Sequence, residues 1–188
     1  MLLRRFFSFS ALIFSFGVLN ALANPQVEFQ TTQGNFVVEL NQALAPISVK
    51  NFLSYVKEGH YSNTLFHRVI NGFMVQGGGF TEGMQPKPVH APIALESKNG
   101  LKNIKGSIAM ARTNDPNSAT AQFFINVADN SALDYPSPDG YGYAVFGKVI
   151  AGMEVIDKIR TTPTTAQGMH FNVPVTPIII QSAKQIAE

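Results

Sequence analysis

Apolar residues alternate with polar ones along most of the chain, which is the pattern of half-buried strands. The first two such runs, 27–31 and 36–40, flank Gln33-Gly34-Asn35, and this spacing predicts a β-hairpin. Clusters of Gly, Pro, Asn and Asp separate the later runs, so a mainly β protein is expected. These further strand-like runs lie at 64–70, 73–77, 93–96, 107–112, 122–128, 143–149 and 174–183.

Two segments follow a helical period instead. Pro46 stands where a helix would begin, and apolar residues recur from Val49 to Val56 at i, i+3, i+4 and i+7, which predicts a helix over 46–58. A second short helix is indicated after Gly152. Many short strands, one early and one late helix and no βαβ alternation predict a closed or nearly closed antiparallel barrel with helices on its open ends.

The first 23 residues have the composition of an export leader. Arg4 and Arg5 precede an apolar run, and Ala21-Leu22-Ala23 has the small-x-small pattern that signal peptidases cut. Polar residues interrupt the apolar run, which falls short of the roughly 20 residues that a membrane-spanning helix needs. We therefore expect cleavage after residue 23, a single mature domain over 24–188, no membrane association after cleavage, and residence in the periplasm or beyond it.

Charge and cysteine content exclude several classes of function. The formal net charge of +2 comes from the leader, so the predicted mature domain is formally neutral and does not favour nucleic-acid binding. The chain has no cysteine, which excludes thiol catalysis, cysteine metal sites and disulfides. The four histidines are far apart and form no metal-binding pair at helical spacing. We expect no metal or cofactor, and a monomer.

One segment places polar groups inside an apolar strand pattern. The stretch FHRVINGFMVQGGGF contains Arg68 and Gln76 among strand-forming residues. In a second stretch, QFFIN, amides alternate with large aromatic residues. Period two places Met74 with Gln76, and Gln122 with Phe124, on common faces. This composition fits a shallow apolar pocket with a few hydrogen-bond donors at its rim.

Each of these residues also has an ordinary structural interpretation. An isolated strand arginine such as Arg68 is more often solvated or ion-paired than catalytic. For Phe73, Met74 and Phe124, burial in the core is the commoner role. His67 is adjacent to Arg68 but should point to the opposite face of the strand, where packing or a structural hydrogen bond is expected. The pattern alone therefore leaves a structural and a functional interpretation open.

Taken together, these stretches resemble the cyclophilin family of peptidyl-prolyl cis/trans isomerases. FHRVINGFMVQGGGF is followed by AMAR, QFFINVAD and YAVFGKV, and the similarity runs from the opening hairpin to the final VPVTPIIIQSAK. It spans essentially the whole predicted mature chain and is closest to the exported bacterial branch. The resemblance implies an eight-stranded antiparallel β-barrel capped by two α-helices, which agrees with the order of elements predicted from the pattern.

The resemblance also implies roles for individual residues. Arg68 corresponds to the family's catalytic arginine, and Gln76 to the amide that holds the substrate backbone and the arginine. The walls of the proline pocket correspond to Phe73, Met74, Phe124 and Leu133. The neighbouring subsite corresponds to Ala111, Arg112 and Gln122.

Three positions depart from the common family pattern. Arg112 replaces an asparagine common in eukaryotic members, and Tyr143, which we place at the rim of the substrate site, replaces a histidine. Ala132 stands where many members have a tryptophan or another aromatic residue. Because an apolar surface and an indole donor are missing there, we expect weak cyclosporin binding.

Three functions are weighed for this sequence. The leading hypothesis is an exported prolyl isomerase acting on proline-containing polypeptides, whose X–Pro bonds otherwise isomerise in tens of seconds during folding. The second is a proline-peptide binding or chaperone module with weak catalysis, motivated by Ala132. The third is a barrel that binds a small apolar ligand, as lipocalins do. The third is disfavoured because the polar groups cluster in one strand motif instead of lining every strand.

Overall fold

The computed structural model describes residues 24–187, so the predicted leader lies outside the described residues. The elements, in chain order, are β1 (Gln26–Thr31), β2 (Gly34–Leu40), α1 (Pro46–Lys57), β3 (Thr64–Ile70), β4 (Met74–Thr81), β5 (Ser107–Met110), β6 (Phe123–Asn126), a 3-10 helix (Ser131–Leu133), β7 (Val145–Ala151), α2 (Met153–Arg160), β8 (Thr164–Gln167), β9 (His170–Pro174) and β10 (Ile179–Ala187).

Eight of the strands close a barrel in the order β1-β10-β3-β4-β6-β5-β7-β2. All neighbouring pairs are antiparallel. The structure confirms the predicted eight-stranded antiparallel barrel with two helices. It also confirms the first hairpin, in which Thr31 pairs with Gly34. Within residues 24–187, no helix has the length and apolar content needed to cross a bilayer.

Aromatic side chains fill the inside of the barrel. Phe29 and Phe36 stack with their ring centres 4.7 Å apart. Phe52 of α1 enters the same cluster, with ring centres 5.9 Å from Phe123 and 5.1 Å from Phe146. All five side chains are fully buried, and each contributes roughly 1.5–3 kcal/mol by leaving water. Because these rings occupy the interior, they fill the space that a lipocalin-like ligand would need.

A second, smaller apolar cluster, the outer cluster, lies on the outside of the barrel. Side chains alternate between the two faces of a strand, so Val75 and Phe123 point inward while Met74 and Phe124 point outward. The buried members of the outer cluster are Met74, Ala109, Phe124 and Val145. Packed against them are Ile70, Phe73, Leu101, Ala111, Leu133 and Tyr143. This cluster supplies an apolar floor for a site on the outer surface.

The start of α1 is fixed by a distant carboxylate. Glu96 accepts hydrogen bonds from the backbone N–H groups of Ile47 at 2.9 Å and Ser48 at 2.7 Å. It also accepts one from the Ser48 hydroxyl at 2.6 Å. A carboxylate at this position accepts hydrogen bonds from N–H groups that have no partner within the helix. It also interacts favourably with the positive end of the helix dipole. The long connection between β4 and β5 is thereby tied to the helix.

Two strand predictions are wrong. Segment 93–96 forms only an isolated bridge between Ile93 and Ala119. It follows Pro92, which lacks the amide hydrogen that a strand ladder requires. The last strand is Ile179–Ala187 and not 174–183, because Pro174 ends the preceding strand and residues 175–178 connect the two.

The sequence pattern did not predict the hairpin formed by β8 and β9. These strands make a separate two-stranded sheet with a turn at Gly168-Met169, in which Gly168 has φ +58°. All of β8 is exposed, so it lacks the alternation that marks a half-buried strand. The hairpin packs through β9 against β3, the strand that carries Arg68.

Candidate active site

Arg68 reaches the outer surface because β3 is irregular beside it. The register of β3 with β4 shifts between Phe66 and Arg68. Phe66 therefore stays in the barrel core while Arg68 lines a cavity on the outside. His67 lines an outer cavity together with Arg68. The expectation that His67 and Arg68 face opposite sides is wrong, because the bulge interrupts the alternation of period two.

A cavity of about 180 Å³ lies on the outer cluster, and we call it the proline cavity after the pocket that the family resemblance implies. Its lining residues are Arg68, Phe73, Met74, Gln76, Ala111, Arg112, Phe124, Leu133 and Tyr143. The floor is apolar, since Met74 and Phe124 are both buried in the outer cluster. The structure thus brings together every site residue predicted from the sequence except Gln122.

Gln122 lies in an adjoining cavity of about 290 Å³. That cavity is lined by Gln76, Ala111, Arg112, Thr113, Ser118, Thr120 and Gln122. Three of these residues also line the proline cavity, so the two spaces are continuous along the surface. Ala111, Arg112 and Gln122 therefore line a common space next to the proline cavity.

A chain of amides holds Arg68 in place. Arg68 and Gln76 are cross-strand neighbours, and Arg68 Nη1 donates to Gln76 Oε1 at 3.3 Å. Gln76 Nε2 in turn donates to Gln122 Oε1 at 2.9 Å. Because Gln76 presents its oxygen to the guanidinium, it restrains the arginine without consuming its remaining N–H donors.

Gly79 makes room for this chain of amides. A Cβ atom at Gly79 would overlap the side-chain amide of Gln122. Strand β4 continues through the glycine run 77–79 to Thr81, so Gly79 is part of a strand. The sequence did not show that Gly79 lies against the side chain of Gln122. A run of glycines inside an apolar strand pattern is the signal that could have indicated it.

The side chain of Arg112 is turned toward the segment before β7. Arg112 Nη2 donates to both carboxylate oxygens of Asp139, at 2.9 and 2.7 Å, and Nε donates to the Gly142 carbonyl at 3.0 Å. The Arg112 side chain is only 1% exposed. Its hydrogen bond lowers the pKa of the Asp139 carboxyl below the usual range. Arg112 therefore shapes the wall of the predicted subsite while its guanidinium is already paired.

A network of asparagines, of which Asn103 and Asn126 are buried, fixes two walls of the proline cavity. Asn130 Nδ2 donates to the Phe73 carbonyl at 2.8 Å and to Asn126 Oδ1 at 2.6 Å. Asn126 Nδ2 donates to Asn103 Oδ1 at 3.2 Å, and both residues are buried. The Asn130 carbonyl accepts from the backbone N–H of Leu133 at 2.8 Å. Sequence reasoning missed this network because isolated asparagines carry no periodic signal.

His67 is the buried titratable group closest in sequence to Arg68. It is 5% exposed, and its ring lies edge-on to Phe80 with centres 4.7 Å apart. Its Nδ1 has no hydrogen-bond partner within residues 24–187. Burial lowers the pKa of His67 to about 4. The side chain is therefore neutral at neutral pH, and its contact with Phe80 agrees with the packing role expected from the sequence. Over the described range, no three His, Asp or Glu side chains are placed to hold a metal ion.

Comparison with known proteins gives these cavities a context. The sequence profile of the family described as "Cyclophilin type peptidyl-prolyl cis-trans isomerase/CLD" matches residues 26–185. The chain belongs to the cyclophilin family. A peptidyl-prolyl cis-trans isomerase of Streptomyces antibioticus is 56% identical to this cyclophilin over 160 residues, covering 84% of this chain and 96% of that protein. Peptidyl-prolyl cis-trans isomerase B of Escherichia coli strain K12 is 54% identical over 158 residues, covering 83% and 96%.

Solved structures agree with the fold of this cyclophilin. The crystal structure of a cyclophilin type peptidyl-prolyl cis-trans isomerase from Cryptosporidium parvum superposes with a TM-score of 0.72 at 27% identity. The match covers 88% of this chain and 99% of that chain. The cyclophilin described here is therefore a peptidyl-prolyl cis-trans isomerase, as its sequence predicted.

The two rim positions at which this cyclophilin departs from the common pattern are both neighbours of Leu133. Ala132 is exposed on the 3-10 helix, directly before Leu133 in the chain. The Tyr143 backbone N–H donates to the Leu133 carbonyl at 2.9 Å. The Tyr143 ring packs edge-on against Phe124, with centres 5.7 Å apart. Tyr143 is thus a wall of the proline cavity, whereas Ala132 is exposed and is not among its lining residues.

Proposed function

We propose that this isomerase uses Arg68 to stabilise the twisted transition state of an X–Pro bond whose proline ring occupies the proline cavity. The observation that carries the proposal is the position of the guanidinium beside an apolar cavity. Within residues 24–187, no carboxylate lies at ion-pair distance from Arg68. Its charge and most of its donors are therefore available to a ligand in that cavity.

The chemistry needs only one well-placed donor. Rotation about a peptide bond is opposed by a barrier of about 18–20 kcal/mol because the C–N bond has partial double-bond character. At the twisted midpoint this conjugation is lost, and the prolyl nitrogen regains a lone pair that accepts hydrogen bonds. A donor aimed at that nitrogen binds the transition state more tightly than either planar isomer, which lowers the barrier. Arginine suits this role because it stays protonated and its N–H groups form a rigid fork.

The neighbouring residues would hold the substrate while the bond turns. The apolar walls from Phe73, Met74, Phe124 and Leu133 fit the pyrrolidine ring, which has no polar atom to satisfy there. Gln76 would contact the substrate backbone and keep the guanidinium in place, as its hydrogen bond to Arg68 indicates. Rotation then takes place against an anchored ring.

The test is the catalysed isomerisation of a proline tetrapeptide by wild type and by Arg68→Ala. We expect kcat/KM to fall on the order of 10²–10³-fold, the usual loss for one transition-state donor. Arg160→Ala is the matched control, because Arg160 pairs with Asp157 and Asn71 and does not line the proline cavity. It should retain wild-type kcat/KM. Equal activity of Arg68→Ala and wild type, with both folded by circular dichroism, would contradict the assigned role of Arg68.

We further propose that the enzyme is an exported, monomeric member of the family that acts on proline-containing polypeptides as they fold in the periplasm. Support comes from the leader-like composition of residues 1–23 and the formally neutral domain that follows. A Cryptosporidium parvum cyclophilin 28% identical to this chain has been crystallised in the presence of the dipeptide Ala-Pro. That ligand supports proline-containing peptides as the substrate class here.

Export can be tested by expressing the full chain in a Gram-negative host and fractionating the cells. We expect the protein in the soluble periplasmic fraction, as a monomer by light scattering, with Asn24 at its N-terminus. A variant lacking residues 2–23 should remain in the cytoplasm. Recovery of the uncleaved full chain from the cytoplasm would contradict the proposal without affecting the assignment of isomerase activity.

A further inference from the structure

The tip of the β8–β9 hairpin carries the two most exposed large apolar side chains of residues 24–187. Met169 is 90% exposed and Phe171 is 69% exposed. Leaving both in water forgoes the roughly 1.5–3 kcal/mol that burial of each side chain would contribute. Neighbouring exposed apolar side chains on a soluble protein commonly mark a binding surface.

The hairpin tip is held firmly next to Arg68. His170 lies between Met169 and Phe171 in sequence, and its ring packs edge-on against Phe80 with centres 5.1 Å apart. Phe80 in turn packs against His67 at 4.7 Å. Because His170 turns inward while its two neighbours are exposed, the tip presents both apolar side chains outward from a fixed base.

Met169 and Phe171 border an open cavity that adjoins the proline cavity. This cavity, of about 590 Å³, is lined by His67, Arg68, Gln76, Phe80, Arg112, Gln122, Met169, His170, Phe171 and Asn172. It shares Arg68, Gln76 and Arg112 with the proline cavity. A polypeptide with its proline in one cavity and an extended backbone, at about 3.3 Å per residue, therefore passes the other within a few residues.

We propose that Met169 and Phe171 form a subsite for a bulky apolar residue that flanks the proline of an unfolded client. This inference rests on the proposed placement of proline beside Arg68. The ligand of this subsite is the client chain, because the cavity beside the hairpin tip shares lining residues with the proline cavity that would hold the same chain. Unfolded chains expose the apolar side chains that folded proteins bury, so the subsite favours clients whose prolines lie next to future core residues.

The test measures kcat/KM for proline peptides that carry Ala, Leu or Phe immediately before or immediately after the proline. We expect wild type to prefer Leu or Phe over Ala about 5- to 20-fold at one of the two positions, as a partly open apolar subsite allows. In the double variant Met169→Ala/Phe171→Ala, that ratio should fall to about twofold or less. Comparing the two positions shows which direction the client chain runs.

Val175→Ala is the matched control. Val175 is also apolar and 60% exposed, and it follows β9 directly, but it does not line this cavity. It should keep the wild-type ratio. An unchanged ratio in the double variant, absence of any preference in wild type, or an equal loss for all peptides would overturn the subsite. So would a wild-type dimer that the double variant abolishes, because a second copy would then be the occupant.

The same peptide series separates this inference from the proposed role of Arg68. Arg68→Ala should lower kcat/KM for all peptides by a similar factor and leave the Phe-to-Ala ratio unchanged. If Arg68→Ala has no effect while the double variant loses the ratio, the subsite stands and the role of Arg68 fails. If Arg68→Ala is inactive and the double variant keeps the ratio, the role of Arg68 stands and the subsite fails.

Discussion

The guanidinium carbon of Arg112 lies 4.4 Å from the centre of the Tyr143 ring. The same guanidinium is fixed by two hydrogen bonds to Asp139. The Tyr143 ring forms one wall of the proline cavity and packs against Phe124, another wall. This arginine, whose Nε and Nη2 groups are bound to Gly142 and Asp139, therefore connects the segment that precedes β7 to the shape of the cavity.

Replacing Arg112 tests this connection. Arg112→Lys keeps the charge but loses the planar group that stacks on Tyr143 and binds Asp139 with two bonds. We expect KM to rise about 3- to 10-fold, as loss of a cation–π contact worth about 1 kcal/mol would give, with a smaller change in kcat. Steady-state kinetics on a proline tetrapeptide measures both. Arg160→Lys is the control, and an unchanged KM in Arg112→Lys would contradict the positioning role.

Replacing Asn130 should lower the free energy of unfolding more than replacing an exposed asparagine does. Asn130→Ala removes the donor to the buried Asn126 Oδ1 and leaves that oxygen unpaired, which costs about 1–3 kcal/mol, while the Phe73 carbonyl keeps its hydrogen bond from the Val127 backbone N–H. Urea unfolding measures the change. Asn71→Ala, at an exposed turn, should change the free energy of unfolding by less than about 0.5 kcal/mol. A loss no larger in Asn130→Ala than in Asn71→Ala would show that the network is not needed.

His67 should make the fold less stable in mild acid. Its pKa of about 4 in the folded state lies below the ordinary value of 6.5, so the unfolded chain binds a proton first as the pH falls. Stability is therefore lost from about pH 6.5 down to about pH 4, by on the order of 2 kcal/mol at pH 5.

The variant His67→Phe isolates this effect, since phenylalanine keeps the ring that packs against Phe80. Urea unfolding of both proteins at pH 7.5 and pH 5 measures it. His60, whose pKa burial also lowers, is present in both proteins and cancels in the comparison. If wild type and His67→Phe lose the same free energy between the two pH values, His67 is not the group responsible.

Cyclosporin should bind this enzyme weakly. Ala132 is exposed beside Leu133, where an aromatic residue would extend the apolar wall. Ala132→Trp should tighten binding about tenfold or more, because the indole adds buried area and a hydrogen-bond donor. Inhibition titrations of wild type and variant measure the difference. Nanomolar inhibition of wild type would show that the rim at this position does not limit binding.

Sequence reasoning predicted those parts of the fold that depend on neighbours in the chain. The helical period predicted α1 over 46–58, and the structure has it at Pro46–Lys57. The predicted hairpin pairs as expected. Family motifs predicted the residues of the proline cavity, which come from three strands, the 3-10 helix and connections far apart in sequence. Family motifs predict such residues because they reflect contacts between distant segments, which the alternation within a single strand does not show.

Other parts depended on partners that the sequence does not place. Segment 93–96 has the apolar content of a strand, but it forms only one bridge. Conversely, β8 has no buried face, and the hairpin is held through His170 and Phe80. Whether a segment pairs is decided by the surface that it meets after folding, and the alternation of its own residues is a weak guide to that surface.

The amino-acid sequence by itself determined the alternating strands, the first helix, the barrel that they build and the apolar and amide groups available for a site. Only the tertiary structure decided that Arg68 emerges at a bulge beside His67, that Arg112 turns toward Asp139 and that Met169 and Phe171 stand beside the groove. The reason is physical. Periodicity is set by backbone geometry within one segment, whereas the direction of each of these side chains is set by partners elsewhere in the chain, which approach only when the barrel closes.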